Sequence, residues 1–356
     1  RRGLGALKMM PGAMRIAISG TPFRGKTENI WGTLNWLFPD KYTSYGKWVE
    51  RHYGSYRDYS NPYGSGFVKG DKILDEKRFY AELKPIMCRR TKAEVAKWLP
   101  PKRYGGTHID PHDDTSPIAV WLPMSDKQTK QYNQIMKEAI LTLDALGDEL
   151  TINGILAEMI RLKQVANACL VGGLSRAGVV PTLPSNKIDW VHDFLVDRIT
   201  VGTKVIVASQ FTQFLELMSS HLDQKGINHY KFTGKTSSKD REWIKTEFQS
   251  QTGDSIILLN TASGGVSLTL DAADDVIVCD QTWIPDDQTQ VEDRAHRMSR
   301  NHKVTIWNLA SRNTIDEDIA QINADRALET ALIDRQRGVS FAKELVAVTK
   351  KRIEEK

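Results

Sequence analysis

Short apolar runs that alternate with amphipathic stretches limit most strongly what the second half of this chain can fold into. Four runs rich in valine, isoleucine and leucine occupy residues 204–209, 255–260, 275–280 and 304–308. A short further strand is predicted near Tyr230, and helical apolar spacing marks residues 187–198, 211–222 and 238–250. Apolar strands alternating with helices are typical of a parallel sheet covered on both faces. The pattern therefore predicts an α/β fold, whose ligands bind beyond the carboxyl ends of the strands.

The segment that follows the third run carries a charged pattern of its own. Gln290, Arg294 and Arg297 stand at positions i, i+4 and i+7, which share one face of a helix. Guanidinium groups keep their charge near neutral pH and match the geometry of phosphate oxygens. The spacing predicts a helix that directs two arginines toward a nucleotide γ-phosphate. An ordinary solvated face is the alternative, since Glu292 and Asp293 stand close by in the sequence.

The bulk composition is that of a folded protein with a weak preference for polyanions. A length of 356 residues suggests two compact lobes, and the net charge of +5 mildly favours a nucleic-acid partner. No run of about 18 apolar residues occurs, so no membrane contact is expected. The three cysteines, Cys88, Cys169 and Cys279, are far apart, which predicts neither a metal site nor a disulfide framework. Because the chain begins with two arginines, we expect it to be part of a longer protein.

The first half of the chain has a less regular pattern. Residues 15–19 read as a buried strand, and helices are predicted at about 28–37, 79–87 and 126–170. Residues 40–75 are rich in tyrosine, glycine, serine and asparagine and are predicted to form an exposed excursion. The paired prolines within residues 99–102 predict a stiff connector between lobes.

Residues 20–27 fit the phosphate-loop pattern G-x-x-x-x-G-K-S/T and follow the predicted strand. In that interpretation Lys26 would hold the β- and γ-phosphates and Thr27 the magnesium ion. Pro22 removes one backbone donor from the loop, and Phe23 is bulky where phosphate must approach closely. A plain turn is therefore the alternative, and the sequence pattern alone leaves both open.

Nine segments, taken in order and spacing, resemble the Swi/Snf-type ATP-dependent DNA translocases of helicase superfamily two. They occupy residues 18–22, 36–39, 87–92, 99–102, 204–211, 260–266, 280–285, 290–297 and 314–317. The resemblance runs from about residue 12 to residue 335 and begins at helicase motif III. It implies a RecA-like parallel sheet with helices on both faces as a complete second lobe, preceded by the end of a first RecA-like lobe with helical protrusions.

The resemblance implies a role for each matching residue. Motif III, which couples the nucleotide site to the nucleic-acid track, falls on Ser19, Gly20 and Thr21. The residues implied to contact nucleotide are Gly264, Gly265, Arg294 and Arg297, with Gln290 beside the two arginines as part of the catalytic motif VI. The residues implied to contact DNA are Ser209, Gln210, Thr233, Gly234, Thr261, Ser263 and Trp283. Residue chemistry leaves a plain turn open for Thr233 and simple core packing open for Trp283.

The family's phosphate loop and Asp-Glu-x-His motif do not occur in these 356 residues. The resemblance therefore implies a missing N-terminal RecA-like lobe as a partner, with ATP and Mg²⁺ bound in the intact enzyme and no turnover by this piece alone. No metal ligand is expected within the chain itself. The implied domains are the first-lobe end at 1–100, a linker with a second helical protrusion at 101–185, the second lobe at 186–335 and a C-terminal helix at 336–356.

Some positions depart from the family pattern or carry no clear chemistry. Gly25 and Ser267 stand where the family has asparagine and glycine, and residues 298–300 replace Ile-Gly-Gln after motif VI. A basic stretch that ends the family's first lobe is matched by Arg89, Arg90 and Lys92. It is expected either to contact phosphates or the linker, or to be a surface cluster that makes lobe contacts. His296 is expected to be structural.

The function expected from the resemblance is the C-terminal half of a double-stranded DNA translocase. The rivals are a non-catalytic lobe that binds DNA or a partner, and a self-contained P-loop NTPase that uses residues 20–27. A cytoplasmic location is expected, in a bacterium or a virus-infected host, or a nuclear one if the protein is eukaryotic.

Overall fold

The computed structural model describes residues 14–19, 27–57, 67–69, 73–88, 90, 92–146, 152–172, 179–199, 202–261, 268–283 and 285–332. The chain divides into two compact units. Unit 1 comprises residues 1–95 with 332–338, and unit 2 comprises residues 96–331 with 339–356.

Unit 1 is built from short helices and a two-stranded antiparallel hairpin. Its elements are a 3₁₀ turn (Thr27–Asn29), α1 (Ile30–Leu37), α2 (Tyr45–Tyr53), β1 (Ser55–Arg57), β2 (Phe67–Lys69), α3 (Glu76–Leu83) and α4 (Lys92–Val95). Its core is aromatic, because Trp48 and Tyr53 of α2 pack against Phe79 of α3 with ring centroids 6.0 and 6.4 Å apart. The helices predicted near 28–37 and 79–87 are thus present, the second shifted toward the N-terminus.

Two predictions for unit 1 are wrong. Residues 15–19 form no strand, and Ile18 is 95% exposed. A strand needs at least one neighbouring strand to pair with, and the described part of unit 1 has no strands besides the β1–β2 hairpin. The predicted exposed excursion at 40–75 is wrong in its described part at 40–57, since α2 buries Trp48, Val49 and Tyr53. The helical spacing of these three residues outweighs the glycine- and tyrosine-rich composition around them.

Unit 2 contains a largely parallel eight-stranded sheet with the strand order β4-β5-β12-β11-β8-β10-β9, and β3 pairs with β12. The strands are β3 (Arg103–Gly105), β4 (Thr107–His108), β5 (Ile118–Leu122), β8 (Lys204–Ser209), β9 (Tyr230–Phe232), β10 (Ser255–Asn260), β11 (Asp275–Val278) and β12 (Thr305–Ser311). A separate hairpin joins β6 (Cys169–Val171) to β7 (Val180–Thr182). The strands from β12 to β9 in that order all run parallel, as a RecA-like lobe requires.

Helices cover both faces of this sheet. The helices of unit 2 are α5 (Asp126–Leu146), α6 (Ile152–Asn167), α7 (Asn186–Ile199), α8 (Thr212–Gln224), α9 (Ser238–Ser250), α10 (Pro285–Ala295) and α11 (Ile315–Leu332). Of these, α7 and α8 cover one face of the sheet, and α9 and α10 cover the other. Alternate residues of β8 enter different cores: Val205 and Val207 pack against α7 and α8, whereas Ile206 and Ala208 pack against α9 and α10. Such two-sided burial explains why β8 reads as a continuous apolar run.

A third apolar cluster joins α5 and α6 to the start of α11. Tyr132 and Ile135 of α5 meet Leu162 of α6 and Ile315 and Ile319 of α11. The helical prediction for 126–170 is confirmed in α5 and α6. The predicted domain boundary at residue 185 stays a prediction, while β3, β4 and β5 join the sheet of unit 2 from the chain segment that precedes it.

Candidate functional site

The carboxyl ends of four neighbouring parallel strands bring together most of the predicted contact residues. Ser209 and Gln210 follow β8, Thr261 follows β10, Trp283 follows β11, and the Thr233–Gly234 turn follows β9. The backbone N–H of Thr261 donates to the carbonyl of Ser209 at 3.0 Å, which joins two of these strand ends. Ser263, Gly264 and Gly265 lie outside the described residues. The edge of the sheet is therefore the candidate site.

Asp280, directly beyond β11, organises the centre of this edge. Its carboxylate accepts a hydrogen bond from the hydroxyl of Ser209 and another, at 3.1 Å, from the backbone N–H of Gln210. Burial raises the pKa of Asp280 above its ordinary value. The Asn260 side chain donates to the carbonyl of Gln210 at 3.0 Å. Because the Ser209 hydroxyl is used inside the protein, the half-buried Gln210 is the member of this pair that reaches the surface.

Lys163 of α6 is a buried group at this edge that the sequence did not single out. Its ammonium donates to the carbonyl of Gln281 and lies 4.5 Å from the ring centroid of Trp283. Burial lowers its pKa to about 8, although the negative charge of Asp280 opposes that shift. The one sequence signal was a lysine within the apolar stripe of a helix. Trp283, by its contacts with Lys163 and with the cluster around α6, packs largely as a structural residue.

A second buried lysine, also unpredicted, ties three elements together beneath the edge. Lys187 of α7 lies 2.6 Å from the Asp316 carboxylate of α11, and it donates to the carbonyl of Cys279 at 2.7 Å. Asn167 accepts from the same ammonium at 2.7 Å. The Lys187–Asp316 pair is fully buried, and the bonded Asp316 oxygen also accepts from the backbone N–H of Ser311 at 3.0 Å, which helps to offset the desolvation of the pair.

The turn after β9 is held rigidly by its own side chains. The backbone N–H of Thr233 donates to the hydroxyl of Thr236 at 3.0 Å, and the Thr233 carbonyl accepts from the Arg241 guanidinium at 3.0 Å. Thr233 is buried and Gly234 is exposed. A small, fixed and exposed turn suits contact with a sugar-phosphate backbone, because backbone groups can hold phosphates without reading bases.

The helix predicted to carry Gln290, Arg294 and Arg297 is α10, and it holds only the first two. It ends at Ala295, so the prediction that Arg297 belongs to the helix is wrong. The carbonyl of Arg294, which a longer helix would pair internally, instead accepts from the backbone N–H of Leu270 at 2.9 Å. His296 is the first residue after α10. Its ring Nε2 forms a hydrogen bond of 2.8 Å with the carbonyl of Pro100, as expected for a structural histidine.

The two arginines lack partners for buried donor atoms. Arg294 is 6% exposed, and neither its Nη1 nor the Nε of Arg297 has a hydrogen-bond partner in the described chain. Burial, together with the positive charge of Arg297, lowers the pKa of Arg294 to about 10. The arrangement fits an anion such as the phosphate chain of a nucleotide, which would supply both acceptors and opposite charge.

The two acidic residues beside the arginines, Glu292 and Asp293, form ion pairs with Lys102. Its ammonium lies 2.8 Å from a Glu292 carboxylate oxygen and 3.0 Å from one of Asp293. Tyr104 adds a hydrogen bond of 3.1 Å to Glu292. Gln290, at the other end of the predicted trio, is exposed. The alternative of a solvated charged face is thereby weakened, because Arg294 is buried.

Several predicted residues are described in part or not at all. Ser19 is exposed, whereas Gly20, Thr21 and the rest of the phosphate-loop look-alike through Lys26 lie outside the described residues. Of the basic stretch, Arg90 is exposed and Arg89 lies outside them. In the described part of the chain, no group of three or more His, Cys, Asp or Glu side chains is placed to hold a metal ion. A membrane-spanning helix is likewise not found among the described helices.

Two domain models and several known proteins match most of this chain. A model of the SNF2-related domain matches residues 4–171, and one of the helicase conserved C-terminal domain matches residues 186–299. The SWI/SNF chromatin-remodeling complex subunit snf22 of Schizosaccharomyces pombe is 27% identical over 86% of this chain and 18% of its own length. The human SWI/SNF-related matrix-associated actin-dependent regulator of chromatin subfamily A member 1 is 27% identical over 86% of this chain and 28% of its own length. The chain thus spans less than a third of either relative.

Solved structures share the fold. The C-terminal part of the Fun30 ATPase domain aligns with a TM-score of 0.55 and 18% identity, covering 72% of this chain and 99% of that one. The Sulfolobus solfataricus SWI2/SNF2 ATPase core in complex with dsDNA aligns with a TM-score of 0.52 and 22% identity, covering 100% of this chain and 68% of that one. With an SNF2-related domain followed by a helicase conserved C-terminal domain, the chain belongs to the SNF2-related (Swi/Snf) family.

Proposed function

We propose that this chain is the C-terminal part of an ATP-driven motor that translocates on double-stranded DNA, and that Arg294 and Arg297 are its arginine fingers. The observation that carries the proposal is the buried Arg294 guanidinium, whose Nη1 has no partner in the described chain. A buried cation without an anion is costly, so such a site is typical of a place where an anionic ligand binds. Arginine fingers typically contribute 10³–10⁵ to turnover by stabilising charge on the transferring phosphoryl group.

The DNA part of the proposal is supported by the edge of the sheet. The loops after β8, β9, β10 and β11 all open there, which is where open parallel sheets bind ligands. One solved relative in fold is described as a complex with dsDNA. The residues proposed to face the DNA are those predicted from the family resemblance. Among those described, Gly234 is exposed, Gln210, Thr261 and Trp283 are half-buried, and the buried Ser209 and Thr233 would act by positioning the loops.

ATP and Mg²⁺ are the proposed nucleotide ligands of the intact enzyme. Bound ATP supplies the phosphoryl group whose hydrolysis drives motion, and Arg294 and Arg297 would hold its terminal phosphates. The partner proposed for the other side of the nucleotide is an N-terminal RecA-like lobe with a phosphate loop. The glycines at positions 264 and 265 are proposed to let the backbone approach the nucleotide closely.

Inorganic triphosphate tests this proposal on the chain itself. At concentrations of about ten times Kd it should stabilise the folded chain by about 1.4 kcal/mol and raise Tm. Arg294→Met should abolish that response and, because it removes a buried unpaired charge, raise Tm without ligand. The exposed Arg312→Met is the matched control and should respond as the wild type does. If triphosphate stabilised Arg294→Met as much as the wild type, Arg294 would not be a nucleotide-binding residue.

Turnover by the chain alone distinguishes the rivals. We expect no steady Mg²⁺-dependent ATP hydrolysis from these 356 residues. Hydrolysis that Lys26→Ala abolishes would instead support the self-contained P-loop NTPase. DNA affinity with no response to any nucleotide or polyphosphate would favour the non-catalytic lobe. The cellular compartment stays a prediction, and the curated relatives named above, from a yeast and from human, lend no support to a bacterial or viral source.

A further inference from the structure

Trp243 is a large apolar side chain left on the surface of unit 2. It projects from α9 with 55% of its surface exposed. Its ring meets that of Tyr230 edge to face, with centroids 5.5 Å apart. Tyr230 begins β9, which is the edge strand of the sheet. Because exposure of a tryptophan forfeits much of its burial energy, an exposed aromatic pair of this kind is typical of a contact surface.

Two lysines without acidic partners lie beside this aromatic pair. Lys235 and Lys239 are both exposed, and within the described chain no carboxylate lies at ion-pair distance from either. Lys239 precedes Trp243 by four residues, so the two share one face of α9. By contrast, Lys245 of the same helix lies 3.1 Å from Glu242. The N-terminal part of the face that carries Trp243 therefore has lysine charge with no ion-pair partner in the described chain, whereas Glu247 stands one turn beyond Trp243.

This surface continues from the turn proposed to contact DNA. Gly234 and Lys235 are adjacent, and α9 begins three residues later at Ser238. From Lys239 to Trp243 the helix rises only about 6 Å, which is close to the spacing of neighbouring phosphates. Two acids stand nearby: Asp240 is held by the hydroxyl of Ser237 at 2.7 Å, and Glu247 faces Tyr230.

We propose that Lys235, Lys239 and Trp243 form a second contact surface for double-stranded DNA, with the two ammonium groups on phosphates and the indole against a deoxyribose. The inference rests on the proposed function, because it extends the DNA path from the Thr233–Gly234 turn along α9. Lysines acting as point charges beside an apolar ring would grip the backbone without reading sequence. A protein strand added to β9 is the competing occupant, and it would not depend on these lysines.

The salt dependence of DNA binding separates the two kinds of contact. Affinity of the 356-residue chain for a labelled duplex would be measured by anisotropy between about 50 and 200 mM salt. The double variant Lys235→Gln/Lys239→Gln should lower the slope of log K against log salt by about 1 to 2. Trp243→Leu should weaken binding by about five- to tenfold while leaving the slope unchanged. Thermal melting of each surface variant checks that it remains folded.

Matched controls make the outcomes distinct. Lys245→Gln removes the same charge from a different face of α9, and Trp98→Leu removes another exposed tryptophan of unit 2. Both controls should bind as the wild type does. Wild-type affinity and slope in the Lys235/Lys239 and Trp243 variants would overturn this inference and leave the DNA motor proposal intact. A chain that binds no duplex at all would overturn the DNA part of the proposed function as well, and equal losses in the controls would show that the effect is not specific to this surface.

Discussion

The surroundings of the buried charges distinguish two kinds of residue, the lysines Lys163 and Lys187 and the arginine Arg294. Lys163 and Lys187 are each buried, but carboxylates and carbonyls surround them. Arg294 is buried with an unpartnered nitrogen atom and a neighbouring positive charge. The first two residues therefore hold strand-end loops in place, whereas Arg294 is suited to bind a negative ligand.

The titration of Lys163 gives a residue-scale prediction. Its pKa is lowered from 10.5 to about 8 in the folded chain. Between pH 8 and 10.5 the unfolded chain therefore binds the proton that the folded chain has lost, so the free energy of unfolding rises with pH in this window and the effect disappears below pH 8. Lys163→Met should remove about 2 to 3 kcal/mol of this rise.

Urea unfolding at several pH values between 7.5 and 10.5 measures this effect. The quantity that matters is the stability difference between wild type and Lys163→Met, because other groups titrate in both proteins. The exposed Lys239→Met is the control, and its difference from wild type should stay flat. A flat difference for Lys163→Met as well would show that Lys163 does not carry a lowered pKa.

At the scale of elements, a close backbone approach fixes the junction of β4 and β5. Gly106 has φ of +109°, and a Cβ atom there would stand 2.3 Å from the carbonyl oxygen of Ala119. Gly106→Ala would have to push β4 away from β5 and adopt a left-handed conformation, so we expect a loss of about 2 to 4 kcal/mol in the free energy of unfolding.

A second glycine supplies the control for that prediction. Gly226 has φ of +71°, but no atom lies within 4 Å of the position of its Cβ. Gly226→Ala should cost only the conformational penalty of about 1 to 2 kcal/mol. Chemical denaturation of both variants measures the contrast, and equal losses would mean that the close contact with Ala119 does not matter.

The sequence predicted regular elements well where local pattern determines them. The predicted bounds of β8, β10 and α9 coincide with the structure, because their patterns are strongly periodic and their ends carry turn or capping residues. It missed α2, since glycine and tyrosine around it suggested a loop. It also carried the motif VI helix through Arg297, because the bond from Leu270 that ends this helix comes from a distant part of the chain.

The sequence predicted only those site residues whose type and spacing suggest a function without knowledge of the fold. Arg294 stood out because its spacing and charge are visible in sequence. Lys163 and Lys187 did not, because their partners Gln281 and Asp316 are 118 and 129 positions away and meet them only through the fold. The sequence also could not show whether Arg294 is solvated or buried. This difference separates a solvated charged face from a helix that directs arginines toward a phosphate.

At the scale of the whole molecule, the chain supplies one RecA-like sheet in unit 2 and a separate small helical core in unit 1. Arg294 and Arg297, whose unpartnered nitrogen atoms lie at and just beyond the end of α10, are proposed to meet the nucleotide when a second lobe supplies the phosphate loop. The formal net charge of +5 is modest. DNA affinity should therefore come from local surfaces such as Lys235 and Lys239 rather than from the field of the whole protein.

Arg294 and Arg297 are proposed to complete an ATP site that DNA activates. The direct measurement is DNA-stimulated ATP hydrolysis by the full-length protein, compared with Arg297→Ala and with the exposed-surface control Arg312→Ala. We predict that Arg297→Ala lowers turnover by 10³-fold or more while duplex binding persists, and that Arg312→Ala leaves both unchanged. Near-normal turnover by Arg297→Ala would show that Arg297 is not an arginine finger.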